Sequence, residues 1–252
     1  MNRWHRNHIE QQETVITLLA DGPVTAADAA VSQFRRCLQD YIETCPAFGT
    51  SHKPVQIPPE ADARIRQMGD ASARVNVGPM ASVAGQVSAV VLETLLENGV
   101  SEAVVDNGGD IALFVNKAVH VGIYAGESPI DRLAFRIEPT VRPLGICTSS
   151  GTVGHSFSYG RADAAIVISE NIPLADAAAT ALCNRIQTRD DLEACFDFMN
   201  TIPEIQGAMV ILGVKAALWG TLPELVEADV DTTLITQGKY CHTEKTHAEN
   251  LR

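Results

Sequence analysis

Three short runs hold most of the reactive side chains in this sequence: DNGGDI at 106–111, CTSSGTVGHS at 147–156 and LADAAATALCN at 174–184. In the third, Pro173 suits the first turn of a helix, which puts Asp176 and Thr180 four residues apart on one face. Alanines at 175, 177, 178, 179 and 181 leave that face clear. A carboxylate and a hydroxyl are hard oxygen ligands, the kind Mg²⁺ takes alongside water and phosphate oxygens. An aspartate in a first turn is also favoured by the helix dipole alone, so the pair has a purely structural explanation as well.

The DNGGDI run reads as a hairpin, with Asn107, Gly108 and Gly109 supplying the positive φ angles of a tight turn. That leaves Asp110 unexplained, because it leads into an apolar run where an unpaired carboxylate is costly to bury. In and just after the middle run Thr148, Ser149, Ser150, Thr152, Ser156 and Ser158 offer hydroxyls, while Gly151 and Gly154 expose amides. Such a loop can cradle phosphate oxygens. His155 lies amid serine and glycine, where it is a candidate proton carrier. Cys147 is either a thiol nucleophile within reach of His155 or a buried cysteine that ends a strand. No Walker A, GxGxxG or GxSxG pattern occurs, so neither a P-loop, a dinucleotide Rossmann fold nor an α/β-hydrolase is indicated.

The elements that must hold these runs follow from the hydrophobic pattern. ETVITLL at 13–19 reads as a strand stopped by Asp21 to Pro23, and a helix capped by Thr25 runs from Ala26 to Thr44. The four prolines between Pro46 and Pro59 mark a linker-like stretch, with a short helix from Glu60 to Met68. Residues 80–99 form a helix whose first half is nearly bare, with Ala81, Ser82, Ala84, Gly85, Ser88 and Ala89, so that a second backbone or a flat ligand can approach closely. EAVVD, IALFV, HVGIY, LAFRI and AAIVI are strands, followed by a helix from Pro173 to Arg185, a helix near Asp190 to Met199 and strands at 208–214 and after it. This is an α/β (α+β) chain of mixed sheets with flanking helices. One domain over 1–252 is expected, or two closely packed lobes, with a loose polar tail at 239–252.

The composition narrows the function. A formal charge of −12, from 19 Lys+Arg against 31 Asp+Glu, argues against nucleic acid or an anionic membrane as partner, since both are bound through basic side chains. A small phosphorylated ligand is still allowed, because amides and a cation can hold it. The six cysteines contain no CxxC pair, and the sequence shows neither a signal-peptide run nor an obvious bilayer-spanning segment; the expectation is a cytoplasmic protein with reduced thiols. The acidic stretch from Glu224 to Asp231 reads as solvated surface, and His242 and His247 lie in a polar tail that is a poor metal site. A homodimer is the default oligomer.

Taken together, the runs resemble the FAD:protein FMN transferases, the ApbE-like proteins, whose motifs appear in the order small-residue helix, N-x-GGD, TSG and AD-x-x-AT. The matches are Ala84-Gly85, Asn107 to Asp110, Thr148 to Gly151, and Ala175-Asp176 with Ala179-Thr180, spanning about residues 74 to 186. The sequence is most similar to an uncharacterised branch of that superfamily. The resemblance implies an ApbE-like fold, Mg²⁺ on Asp176 and Thr180 with a carbonyl near the small-residue helix, and FAD or a related nucleotide against Gly85, Asn107, Gly108, Gly109, Asp110, Thr148, Ser149, Ser150, Gly151 and Ser156. It departs at Ala84 and Ala89, where the transferase helix carries Lys and Asp. His155 stands in for a histidine that usually follows the TSG loop at a greater distance. The expected function is therefore Mg²⁺-assisted binding of a flavin or other phosphorylated ligand, as a transferase acting on a diphosphate. The alternatives are a non-catalytic flavin carrier or subunit, and a sulfur- or acyl-transfer enzyme that uses Cys147.

Overall fold

The computed structural model describes residues 4–153 and 159–228. His5–Gln11 (β1) and Thr14–Ala20 (β2) form an antiparallel hairpin. Thr25–Thr44 (α1), Pro46–Thr50 (α2) and Ala63–Arg74 (α3) follow, and a 3₁₀ turn at Pro79–Ser82 leads into Val83–Glu97 (α4). Six strands come next: Ala103–Asn107 (β3), Asp110–Phe114 (β4), Val119–Ile123 (β5), Leu133–Ile137 (β6), Leu144–Ser149 (β7) and Ala164–Ser169 (β8). Ile172–Asn184 (α5), Ile205–Leu212 (β9), Lys215–Gly220 (β10) and Glu224–Glu227 (β11) complete the described elements.

Eight strands make one antiparallel sheet in the order β1-β2-β3-β4-β7-β8-β9-β10, and β11-β6-β5 make a second. Helices cover one face of the large sheet and the small sheet covers the other. The alternation along β8 shows why its sequence is apolar from Ala164 to Ile168: Ala165 and Val167 join the core under the helices, whereas Ala164, Ile166 and Ile168 join the core between the sheets. A strand with both faces covered has no position left for a polar side chain. The same period of two in β4 sends Ala112 toward the helices and Leu113 toward the small sheet, which puts Asp110 on the helix side.

Helix α5 begins where Asn171 accepts the Leu174 N–H at 3.2 Å, with Pro173 in the first turn. Its alanines are fully buried, so its axis lies close on β7, β8 and α4. The tightest approach is at Gly85 of α4: a Cβ there would stand 2.7 Å from Asp176 Cβ and 3.0 Å from the Ile172 carbonyl oxygen. The run Pro79–Glu97 is, contrary to the sequence reading, long and apolar enough by length and composition to cross a membrane, but 61% of that window is buried inside the fold. Its apolarity is that of a core helix.

Several boundaries differ from the expected ones. Thr25 is already inside α1, and Val24 precedes it with no side-chain cap. The proline-rich stretch contains α2, and the next helix starts at Ala63, where the Asp62 carboxylate accepts the Arg64 N–H at 2.9 Å. Asp190–Glu193 and Asp197–Thr201 are two 3₁₀ turns in place of one helix. Strands β1, β7 and β11 were not anticipated; the acidic residues read as mere surface include Glu224–Glu227, which pairs with β6. The tail expected at 239–252 lies outside the described residues.

The Gly85 crossing yields a test with opposing signs. In an open helix, glycine to alanine stabilises by about 1 kcal/mol. Gly85→Ala is expected to destabilise instead, by roughly 1–3 kcal/mol as for overpacked cores. Urea unfolding of the variant distinguishes the two, and a gain in stability would refute the close crossing.

Candidate functional site

The β3–β4 turn is the two-residue hairpin implied by its sequence. Asn107 pairs with Asp110, and Gly108 and Gly109 lie at φ +69° and +98°. The Gly109 N–H donates to Asp106 Oδ1 at 2.8 Å, and no atom lies within 4 Å of where a Gly108 side chain would begin. Asn107 Nδ2 donates to the Ala84 carbonyl at 3.2 Å and Ser88 Oγ to the Asp110 carbonyl at 2.7 Å, which ties the turn to α4.

Asp110 is 6% exposed and its Oδ1 has no hydrogen-bond partner. From the opposite side, Asp176 of α5 enters the same space, its Oδ2 accepting the Gly85 N–H at 2.8 Å. The two carboxyls are near enough for each to perturb the other. Burial, then the charges of Asp176 and Asp106, hold Asp110 well above the usual carboxylate range. Burial pushes Asp176 up to about 7, against the Gly85 and Ala84 amides, which pull it down. Like charges in a desolvated space cannot both ionise without a counter-charge.

A cavity of about 910 Å³ opens beside this pair. The turn from Asn107 to Asp110, with Thr148 and Ser150, lines one end of it, and Ala84 and Val83 of α4 line a wall. Of the residues expected to contact a nucleotide, these are brought together. Gly85 is not at the cavity wall; it abuts Asp176 behind it. Ser149 points into the buried layer and Gly151 lies outside the lining. The expected loop begins only at Ser150, because Cys147, Thr148 and Ser149 belong to β7. Nor are the Ser150 and Gly151 groups open to a ligand in the way a phosphate cradle requires. The Gly151 N–H donates to the Ala162 carbonyl at 2.9 Å, and Ser150 Oγ accepts the Thr152 and Val153 amides at 3.0 and 2.9 Å. His155 and Ser156 lie outside the described residues, as do His242 and His247.

Thr180 sits one turn beyond Asp176 and is half-buried. Among the described residues no group of three or more His, Cys, Asp and Glu side chains could hold a metal. A cation here would have to rely on the two aspartates with hydroxyl, carbonyl or water oxygens. That donor set is hard and oxygen-only, which fits Mg²⁺ better than zinc. The unpartnered Oδ1 of Asp110 and the raised Asp176 are what such a site looks like without its positive charge.

Cys147 does not have the surroundings of a nucleophile. It is fully buried opposite Asp110 on β4, with its thiol directed at the Ile172 carbonyl at 3.8 Å. Burial, followed by the charges of Asp110 and Asp176, holds it well above the usual thiol range. A reactive cysteine needs the opposite shift.

The family model described as "AbpE bacteria" matches residues 1–195. The chain belongs to that family. Relatives of this AbpE chain include a UPF0280 protein of Methanocella arvoryzae, 46% identical over 90% of this chain and 93% of the relative. Another UPF0280 protein, from Methanosarcina barkeri, is 43% identical over 92% and 93%. Among solved structures, the apo flavinyl transferase ApbE of Pseudomonas stutzeri aligns with a TM-score of 0.53 at 13% identity, covering 93% of this chain and 98% of that one. The flavin transferase ApbE of Vibrio cholerae aligns at 0.52 and 10%, covering 86% and 97%. Likeness at that identity establishes the ApbE fold.

Sequence reasoning assigned Asp110 to the nucleotide and Asp176 to a metal, but missed that the two form one buried pair. The available signal was the cost of leaving Asp110 unpaired. The pair makes stability depend on pH. With an unfolded value of 3.8 and a folded value of about 7, Asp176 favours folding fully below about pH 4, and that contribution is lost as pH rises through 7. At 1.36 kcal/mol per pH unit the loss is on the order of 4 kcal/mol. Unfolding in EDTA at about pH 4 and pH 8 measures it. Asp176→Asn should flatten the difference, and an unchanged slope would show that Asp176 is not the raised group.

Proposed function

We propose that this AbpE-family protein binds a flavin nucleotide together with Mg²⁺ and acts as a transferase on its diphosphate. The supporting observation is a buried carboxyl of β4, Asp110, on the lining of a large cavity with an unpartnered oxygen, and a second buried carboxyl, Asp176 of α5, behind it. The Pseudomonas stutzeri and Vibrio cholerae proteins that share the fold are flavin transferases by name.

Asp176 and Asp110, with the Thr180 hydroxyl, would hold the cation. Bound there, Mg²⁺ supplies Lewis-acid polarisation of a phosphoryl oxygen. The chain's own groups do the positioning. Gly108 leaves its backbone open so that a ligand can approach the turn, and Thr148 offers a half-buried hydroxyl on the cavity wall. The proton that Asp176 keeps up to about pH 7 is the one that cation binding would release, so affinity for Mg²⁺ should rise between about pH 6 and pH 8.

Ala84 favours a second reading. It lines the cavity with a methyl where the resembling transferases carry a lysine, which favours a site that keeps its ligand without the chemistry, a flavin carrier or subunit. Incubation with FAD and Mg²⁺ separates the two, since a transferase yields FMN or AMP and a carrier returns FAD intact.

For either reading, calorimetric titration with FAD should show tighter binding with Mg²⁺ than in EDTA. Asp176→Asn is expected to cut the Mg²⁺-dependent gain by about tenfold or more, the scale of one lost charged ligand contact. Equal Mg²⁺-dependent affinity in the variant and wild type would overturn the proposal.

A further inference from the structure

The cavity is chemically asymmetric. At one end lie Asp106 and Asp110; Arg35 of α1 is the one cationic side chain along the lining among the described residues. Between them the walls are mostly apolar, including Leu38, Ile42, Val83 and Val87. Arg35 is held by the turn of the β1–β2 hairpin. Its NH1 donates to Thr14 Oγ1 at 2.6 Å and its NH2 to Glu13 Oε2 at 2.8 Å and to Gln12 Oε1. Those contacts use three of the five guanidinium N–H groups. Gln11 strengthens the attachment by donating to Asp28 Oδ1 at 2.8 Å and accepting from Ser32 Oγ at 3.0 Å.

The ion pair with Glu13 is a weak competitor for a ligand. The Glu13 side chain is 81% exposed, against 25% for Arg35, and an exposed pair contributes little. Glu43 also lines the cavity and limits the net positive field there. Thr14 and Gln12 are uncharged acceptors of the Arg35 N–H groups, so the guanidinium keeps its position when Glu13 leaves. Sheet register fixes the separation. Thr17 of β2 pairs with Asp106 of β3, which in turn pairs with Ile111 of β4, so Ile16 is level with Asp110 two strand spacings away and Thr14, two residues further along β2, stands on the order of 10 Å from Asp110.

From this geometry we propose that Arg35 reads an anionic group, a phosphate ester, on the cavity's ligand, exchanging Glu13 for it by a bidentate contact. The substrate class is then an apolar body with a phosphate held on the order of 10 Å from the carboxyl pair. This rests on the flavin-nucleotide reading for the choice of probe, but requires no Mg²⁺.

The test measures FMN and riboflavin binding in EDTA by quenching of flavin fluorescence, which isolates Arg35 from the metal end. Wild type should prefer FMN by about tenfold or more. Arg35→Gln should bring the ratio near one with riboflavin affinity unchanged, Arg35→Lys should retain part of the preference, and Glu13→Gln, which removes the competitor without touching the hairpin hydrogen bonds, should raise it. An unchanged ratio in Arg35→Gln, or none in wild type, overturns the proposal. If wild type binds neither flavin, the flavin reading fails by itself and inorganic pyrophosphate decides Arg35 by calorimetry. Weaker pyrophosphate binding by Arg35→Gln than by wild type supports the proposal; equal or absent binding sinks it.

Discussion

The close crossing of α4 and α5 determines the rest of the site. With no side chain at Gly85, the backbone of α4 comes near enough for its amide to donate to Asp176 at 2.8 Å. That contact carries a carboxyl from a helix into the layer beneath, where it meets Asp110 from the sheet. A larger residue at 85 would separate the helices and lower the carboxyl pair's shared desolvation, so the pair's electrostatics depend on a packing detail.

Small residues do the same work elsewhere. The buried alanines of α5 keep it flat on β7 and β8, and Gly145 of β7 stands where a Cβ would meet Ile172 Cα at 3.0 Å. Gly151 and Gly160 allow the segment after β7 to lie against the end of α5, with Arg161 donating to the Ile186 carbonyl at 2.7 Å. The glycines that looked like a ligand cradle are spent largely on backbone packing. What faces the cavity is the β3–β4 turn, where Gly108 is open.

Among the described residues the cavity has the aspartates of the β3–β4 turn, an apolar middle, and one arginine accompanied by Glu13 and Glu43. A formal charge of −12 would repel an anionic ligand at long range, so affinity for one must come from local charge: a cation between the aspartates, the guanidinium of Arg35, or both. The thiol of Cys147 adds no chemistry, since the neighbouring carboxyls and its burial keep it neutral.

Much of the fold was legible in local pattern. The Asn-Gly-Gly-Asp turn, the apolar β8 and the alanine-rich α5 follow from φ preferences, burial on two faces and helical spacing, all of which act over a few residues. Strand β7 was hidden because its hydroxyls resemble a loop; β4 and β8 on either side supply its ladder and override that preference. Strand β11 was hidden because four residues with exposed glutamates have no pattern of their own until β6 pairs with them. The sequence by itself determined which side chains could bind a cation and a phosphorylated ligand, and which family they resemble. Only the tertiary structure decided that Asp110 and Asp176 share one buried space, that Gly85 serves the helix crossing, and that Arg35 shares a cavity with the glycine turn. Those are distances between segments far apart in the chain, set by how layers pack and not by any local preference.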